Sequence, residues 1–311
     1  MIVWRDQAPG PLAPLGRGGL RVAPLSFGGA PIGNLGTAVS DADAEAAVHA
    51  AWAAGIRYFD VAPHYGLGLA EERLGRALRN YPRDEYILST KVGRVLFDPG
   101  QGLHADGQGF EVRSTLRRVF DYSADGVRRS LHDSLARLGL DRVDIAYVHD
   151  PDQHYREALA GAFPALDRLR REGAIRSYGA GMNHSALLAD IVRETDSDVV
   201  LAARTWTLAD RSALADVLPA ALGRGVSVVV GGVLAESPVP EERRRLAQLA
   251  RRFGVDPATA ATRFPLTHPA VATVLVGMRT SAEVAADTRA FGAAIPDGFW
   301  PAIRAALGCG S

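Results

Sequence analysis

The chain has 311 residues, with 35 Lys+Arg against 35 Asp+Glu, so its formal net charge at neutral pH is zero. That balance excludes nucleic acid or an anionic membrane surface as the main partner. With 47% hydrophobic and 23% charged residues, the composition is that of a globular protein with a full core, and dominant disorder is excluded. The lone cysteine, Cys309, can form no internal disulfide and supports no cysteine-rich metal site, a pattern that suits a reducing cytosol. The opening MIVWRDQAPGPLAPLG lacks the basic start and apolar run of a signal peptide, and no stretch approaches the length of a transmembrane helix. The expectation is a cytoplasmic protein.

In chain order, residues 1–14 read as an extended arm. The segment LGRGGLRVAPLSFGG then reads as a short hairpin around Gly18 and Gly19 that closes a barrel floor. Eight apolar, Val- and Ile-rich runs follow, at 25–30, 56–60, 86–92, 143–149, 175–181, 198–203, 226–232 and 271–277, each with a helix candidate behind it. The helix starts have mechanisms. Ser40 and Asp43 have capping-box spacing ahead of Val48 and Trp52, Asp256 and Pro257 form an N-cap and N1 pair, and Thr280 to Glu283 is a second capping box. Val127, Leu131, Leu135 and Leu138 trace one apolar helix face, and Tyr155, Leu159, Phe163, Leu166 and Leu169 another.

Eight strand-helix units without a low-complexity linker predict an α/β fold of one (β/α)8 TIM barrel domain over residues 1–311. The longest interruption, residues 93–122, is too rich in Gly, Asp and Gln to be core. It reads as a long loop after the third barrel strand, on the functional face.

Catalytic groups of such a barrel stand at the carboxyl ends of its strands, and three apolar runs end in charge or imidazole: Asp60, Lys91 and His149. Tyr65 lies five residues beyond Asp60 in VAPHYG. A phenol is a poor acid at neutral pH unless a cation lies close, and Lys91 can be that cation. Asp60 then holds the Lys91 ammonium, Tyr65 exchanges a proton with a carbonyl or hydroxyl oxygen, and His149 polarises that oxygen. Each of these residues taken singly also has a structural reading, since charges at a barrel mouth form ion pairs that merely close the sheet ends.

The strings GIRYFDVAPHYGLGLAEERLG, YILSTKVG, SLARLGLDRVDIAYVHDPD and VLVGMRTSAEV resemble the aldo-keto reductases, in order, over about residues 15 to 295. Within that family the chain looks most like the L-fucose, D-threo-aldose and pyridoxal dehydrogenase group. The resemblance implies a catalytic tetrad of Asp60, Tyr65, Lys91 and His149. It implies hydride transfer with NAD or NADP between a sugar hemiacetal or alcohol and the lactone or carbonyl compound. Cofactor contacts are implied at Gly29, Asn183, Arg204, Gly232, Val233, Leu234, Gly277, Arg279, Thr280 and Asp287, with Asn183 on the nicotinamide carboxamide and residues 277–287 on the adenosine half. NADP-specific members often carry basic residues where Gly277 and Glu283 stand, so NAD is the expectation, with Arg279 as the counterargument. His64 and Trp206 are candidate substrate contacts; Trp206 either stacks on the nicotinamide or lines the sugar pocket.

Two segments depart from the family pattern. After strand 7, GGVLAESPVPEERRRL lacks a stretch that clasps the pyrophosphate in relatives, and ARTWTLAD replaces an arginine and tyrosine before the threonine. Two alternatives therefore stand beside the dehydrogenase reading: a carbonyl reductase of a specialised metabolite, and a cofactor-binding barrel without turnover. The glycines of FGGAPIGNLG read as close-approach positions rather than a phosphate loop. The histidines His132, His149, His154 and His184 lack metal-ligand spacing, so no metal is expected. A small-molecule substrate and a monomer or homodimer complete the expectation.

Overall fold

A computed structural model describes residues 12–234 and 239–308. It opens with an antiparallel hairpin, β1 (Ala13–Leu15) and β2 (Leu20–Val22), so the extended arm expected over 1–14 already pairs from Ala13; residues 1–11 lie outside the described residues. Eight parallel strands then close a barrel: β3 (Leu25–Gly28), β4 (Tyr58–Asp60), β5 (Ile87–Val92), β10 (Ile145–His149), β11 (Ser177–Met182), β12 (Val199–Ala203), β13 (Ser227–Gly231) and β14 (Val271–Gly277), which pairs back to β3. Each coincides with a predicted run to within two or three residues. The differences fall at strand ends, where the chain enters or leaves the ladder.

Alternation along the strands sorts the barrel into two cores. In β5, Leu88 and Val92 face the helices, whereas Ile87 lies inside the barrel and Ser89 and Lys91 follow it at period two. The interior cluster of Tyr58, Ile87, Ile145, Tyr147, Val199 and Val229 also contains Leu15, Leu20 and Val22, so the β1–β2 hairpin closes the floor as expected. The helix caps match the sequence as well. Ser40 Oγ accepts from the Asp43 N–H at 3.0 Å, Asp256 from Ala258 at 2.7 Å and Thr280 from Glu283 at 3.2 Å.

The long segment after β5 is not irregular. It folds into two small hairpins, β6 (Arg94–Phe97) with β9 (Arg117–Phe120) and β7 (His104–Ala105) with β8 (Arg113–Ser114). Their strands are too short, and two of them too polar, to carry an alternation signal. A bridge between Leu35 and Phe110 docks this segment on the loop after β3.

Glu71 and Arg73, from the AEERLG string, are structural. Glu71, fully buried, accepts from Thr90 at 2.7 Å and from Arg137 at 2.6 Å. Arg73 donates to the Ile32 and Val39 carbonyls and to Asn34 Oδ1, pinning the loop after β3. Among the described residues no helix is long and apolar enough to cross a membrane.

Helix Leu69–Leu78 meets helix Ala124–Leu138 at Gly75, where an added Cβ would lie 2.0 Å from the Leu138 carbonyl oxygen. Gly223, in helix Val217–Arg224, has nothing within 4 Å of that position. Gly75→Ala is therefore expected to lose about 1–3 kcal/mol by overpacking, and Gly223→Ala to gain about 0.4–1 kcal/mol. Urea unfolding of both variants checks the contrast.

Candidate active site

The barrel order sets β4, β5 and β10 side by side, and the residues at their carboxyl ends converge. Lys91 Nζ donates to Asp60 Oδ2 at 2.6 Å, to the Val61 carbonyl at 3.1 Å and to the Tyr65 hydroxyl at 2.9 Å, which uses all three of its protons. Lys91 and Asp60 are 2% and 3% exposed. Below them, Asp60 Oδ1 accepts from Ser89 Oγ at 2.7 Å, Ser89 meets the Tyr58 hydroxyl at 3.0 Å, and Tyr58 meets Tyr147 at 3.1 Å. A hydrogen-bonded chain thus runs from the barrel interior up to Tyr65.

The electrostatics follow from burial and neighbours. Burial draws the Lys91 ammonium toward neutrality, but Asp60 and Tyr65 more than reverse this, and its pKa stands above the ordinary lysine value. Burial likewise raises the Tyr65 phenol, and the pull of Lys91 in the other direction only offsets part of it. Tyr65 is thus a neutral phenol at neutral pH, not the acidified one that the nearby cation alone would give. His149 is held well below the usual imidazole range by burial and then by Lys91 and Arg94, so its ring is neutral. Its Nδ1 is buried with no hydrogen-bond partner among the described residues, while Nε2 stands 3.6 Å from Asp150 Oδ2. The rings of His149 and Tyr65 meet edge-on at 6.0 Å.

His64 joins this group. Its ring lies 5.5 Å from that of His149 and 5.3 Å from Phe110, and burial, Arg94 and Arg118 lower its pKa to about 3. It is half-buried at the mouth instead of being an exposed loop histidine. Trp206 is elsewhere. It is fully buried against Phe264 and His268 with its indole N–H donating to the Pro265 carbonyl at 3.0 Å, which corrects the expectation of a substrate or nicotinamide contact.

The remaining candidates divide. Asn183, Arg204, Gly232, Leu234 and Gly277 are exposed at the ends of β11, β12, β13 and β14, on the far side of the mouth from Asp60 and Lys91. Val233 turns into the core at 3% exposure, leaving only its backbone for a ligand. Gly29 is buried, with its N–H donating to the Asp60 carbonyl at 2.8 Å; an added Cβ would lie 2.8 Å from that same oxygen. Helix Ser281–Gly292, capped by Thr280, offers first-turn N–H groups without intrahelical partners. Arg279 is tied to it, since its Nε lies 3.1 Å from Glu283 and its backbone N–H donates to Glu283 Oε2 at 2.8 Å. Asp287, one turn on, is pushed up to about 6 by burial and by Glu283. Residues 235–238, in the shortened loop after β13, lie outside the described residues.

Several residues at the site were missed from sequence. Phe110 packs 6.0 Å from the Tyr65 ring, and Asp106, whose Oδ2 accepts from the Gln108 N–H at 2.9 Å, shapes the turn beneath it. Arg118 pairs with Asp106 at 2.5 Å and donates to the His64 carbonyl at 2.7 Å, clamping the hairpin segment to the loop that carries Tyr65. Arg94 pairs with Asp150 at 2.5 Å. Only Asp150 had a signal, its place beside His149 in YVHDPD.

Residues 24–307 match the model of the Aldo/keto reductase family. The chain is 39% identical to a D-threo-aldose 1-dehydrogenase from Pseudomonas sp., over 93% of this chain and 95% of that protein. It is 37% identical to a pyridoxal 4-dehydrogenase from Microbacterium luteolum, again over 93% and 95%. A solved aldo-keto reductase from Bacillus halodurans superposes with a TM-score of 0.74 at 26% identity, covering 96% of this chain and 95% of that one.

A buried ion pair at the head of this network makes a stability prediction. Asp60→Asn leaves the Lys91 charge uncompensated and is expected to cost about 3–5 kcal/mol. Adding Lys91→Met should recover part of that loss, because the second substitution removes the stranded charge. Denaturant unfolding of the single and double variants reads the difference.

Proposed function

The chain belongs to the aldo/keto reductase family and is an NAD(P)-dependent oxidoreductase; within that frame we propose that it interconverts a sugar hemiacetal and its lactone, with Tyr65 moving the proton. The observation that carries the proposal is the 2.9 Å hydrogen bond from a buried, charged Lys91 to the Tyr65 hydroxyl. Relatives named for dehydrogenation of an aldose at C1 and of pyridoxal at C4 support the substrate class.

When bound, the nicotinamide cofactor supplies the acceptor or donor of hydride. The residues that fit it are those across the mouth from the tetrad: the exposed Asn183 amide, the side-chain-free positions Gly232 and Gly277, and the open first turn after Thr280. Arg204 joins them, its stem lying over Gly232. The chain's own task is the proton. A substrate oxygen seated between the Tyr65 hydroxyl and His149 Nε2 receives a hydrogen bond from the neutral imidazole, which polarises it without adding a titrating charge. In reduction Tyr65, already protonated, donates to the oxygen that gains charge. In oxidation it must accept the hydroxyl proton as a phenolate, and Lys91 stabilises that anion through its charge and its hydrogen bond.

Two features favour NAD over NADP. The Arg279 charge is neutralised by Glu283. Asp287, one turn along the same helix, adds a carboxyl group beside that pair, suited to accept from a ribose hydroxyl and repulsive to a phosphate.

Tyr65→Phe is expected to lower kcat about 10²–10⁴-fold in either direction. Because the Tyr65 pKa lies above the ordinary phenol value, oxidation by the parent protein should climb with pH through the neutral and alkaline range while reduction stays flat. Neither His64 nor His149 should produce an inflection near the ordinary imidazole value. Initial rates across pH in both directions check these outcomes, and an active Tyr65→Phe variant removes the proposal. For the cofactor, tryptophan quenching should show NADH binding about tenfold or more tighter than NADPH, the scale of one charge contact at about 1.4 kcal/mol. Glu283→Lys should reverse the order.

A further inference from the structure

Among the described residues four non-glycine positions have left-handed backbone, Asn34, Leu67, Asp150 and Arg204, and all four lie in loops after barrel strands, at the mouth. Strain of this kind persists where the surroundings over-determine it, and it concentrates at functional sites. Asp150, with φ of +41°, is the one placed against the tetrad. Its conformation is pinned from both sides. The Asp150 N–H donates to the Gly181 carbonyl at 3.0 Å, and the Tyr122 hydroxyl donates to the Asp150 carbonyl at 3.0 Å and to that of His149 at 2.7 Å. A glycine there would avoid the steric cost, so the retained side chain calls for a reason.

The carboxylate supplies one. Oδ2 accepts from Arg94 Nη2 at 2.5 Å and stands 3.6 Å from His149 Nε2, while Oδ1 has no hydrogen bond among the described residues. Arg94, 16% exposed in its side chain and 3.4 Å from His64 Nδ1, aims the carboxylate toward the tetrad and compensates its charge. An oxygen held by Tyr65 and His149 belongs to the reacting carbon. With Asp150 Oδ2 only 3.6 Å from His149 Nε2, a group on the neighbouring carbon is the one it is placed to meet. An ionised carboxylate only accepts hydrogen bonds, so the partner must donate. In a cyclic sugar the ring oxygen on one side of the anomeric carbon cannot donate; the hydroxyl on the other side can.

We propose that Asp150, positioned by Arg94, is the residue that recognises the hydroxyl on the carbon adjacent to the reacting carbon, so that aldoses are favoured over their 2-deoxy analogues. This rests on the hemiacetal reading above and narrows it. A site built to bond a hydroxyl discriminates strongly against the analogue that lacks it.

The test compares kcat/KM for an aldopentose and its 2-deoxy counterpart of matching configuration, with NAD as acceptor. The parent should prefer the 2-hydroxy sugar by about tenfold or more, the scale of one hydrogen bond to a charged group. Asp150→Asn keeps the shape and Asp150→Gly fits the backbone, and both should collapse the preference to within about twofold, near the limit at which one hydrogen bond no longer discriminates. Thermal unfolding of both variants, each expected to remain a cooperatively folded barrel, separates loss of the carboxylate from loss of the fold. Arg94→Gln should lower the same ratio, a readout that a merely structural arginine would not move, and Arg94→Lys should restore part of it. A parent ratio near one, or a ratio unchanged in both Asp150 variants, overturns the role of Asp150 while aldose oxidation itself leaves the hemiacetal reading standing. A parent that reduces simple aldehydes but oxidises no aldose overturns both.

Discussion

A lysine ammonium buried 2.6 Å from a carboxylate is the constraint on which the rest of this site depends. Two charges so far from water are tolerated only when their donors and acceptors find partners, and here all three ammonium protons and both carboxylate oxygens do. Lys91 spends its three protons on Asp60, Val61 and Tyr65, and Asp60 takes a further bond from Ser89. That requirement explains why polar residues continue into the barrel interior. Ser89, Tyr58 and Tyr147 form a satisfied column beneath the pair, flanked by the apolar ring of Ile87, Ile145, Val199 and Val229. The parallel register supplies the geometry by bringing Asp60 level with Ser89 and Tyr147 level with Lys91.

Around this centre the chain invests side chains in holding loops still. Arg73 grips the loop after β3 through three carbonyl or amide oxygens, and Arg118 ties the hairpin segment to the Tyr65 loop. Tyr122 holds the backbone at residues 149 and 150. These bonds tie down the loops on the β4, β5 and β10 side of the mouth, around the Asp60–Lys91–Tyr65 network. The opposite side presents more exposed groups, Asn183, Arg204, Gly232 and Gly277 among them.

Much of this was readable from the chain. The eight barrel strands stand out because parallel strands covered by helices must be apolar on both faces, so a run such as VSVVVGG has no competing interpretation. Asp60, Lys91 and His149 stand out because each ends such a run with an ionisable group. Trp206 misled for the same reason that made it visible: a large ring at a strand end suits a ligand face or a core equally, and only packing against Phe264 and His268 decides. The hairpins after β5 were hidden by their shortness. Arg94, Asp106, Phe110 and Arg118 act through contacts between residues distant in the chain, such as Arg94 with Asp150 across 56 positions, which no local pattern encodes.

The hairpin segment has a further consequence through its attachments. It leaves the barrel at the end of β5 and returns at helix Ala124–Leu138, and between those points it is held by a few identifiable bonds, the Leu35–Phe110 bridge and the Arg118 clamp foremost. None of its residues belongs to the Asp60–Lys91–Tyr65 network. Its surface can thus change without touching the Asp60–Lys91 ion pair, provided Arg94, Arg118 and Tyr122 keep their bonds to the barrel loops. A segment of some thirty residues is thus attached to the Asp60–Lys91–Tyr65 network rather than built into it.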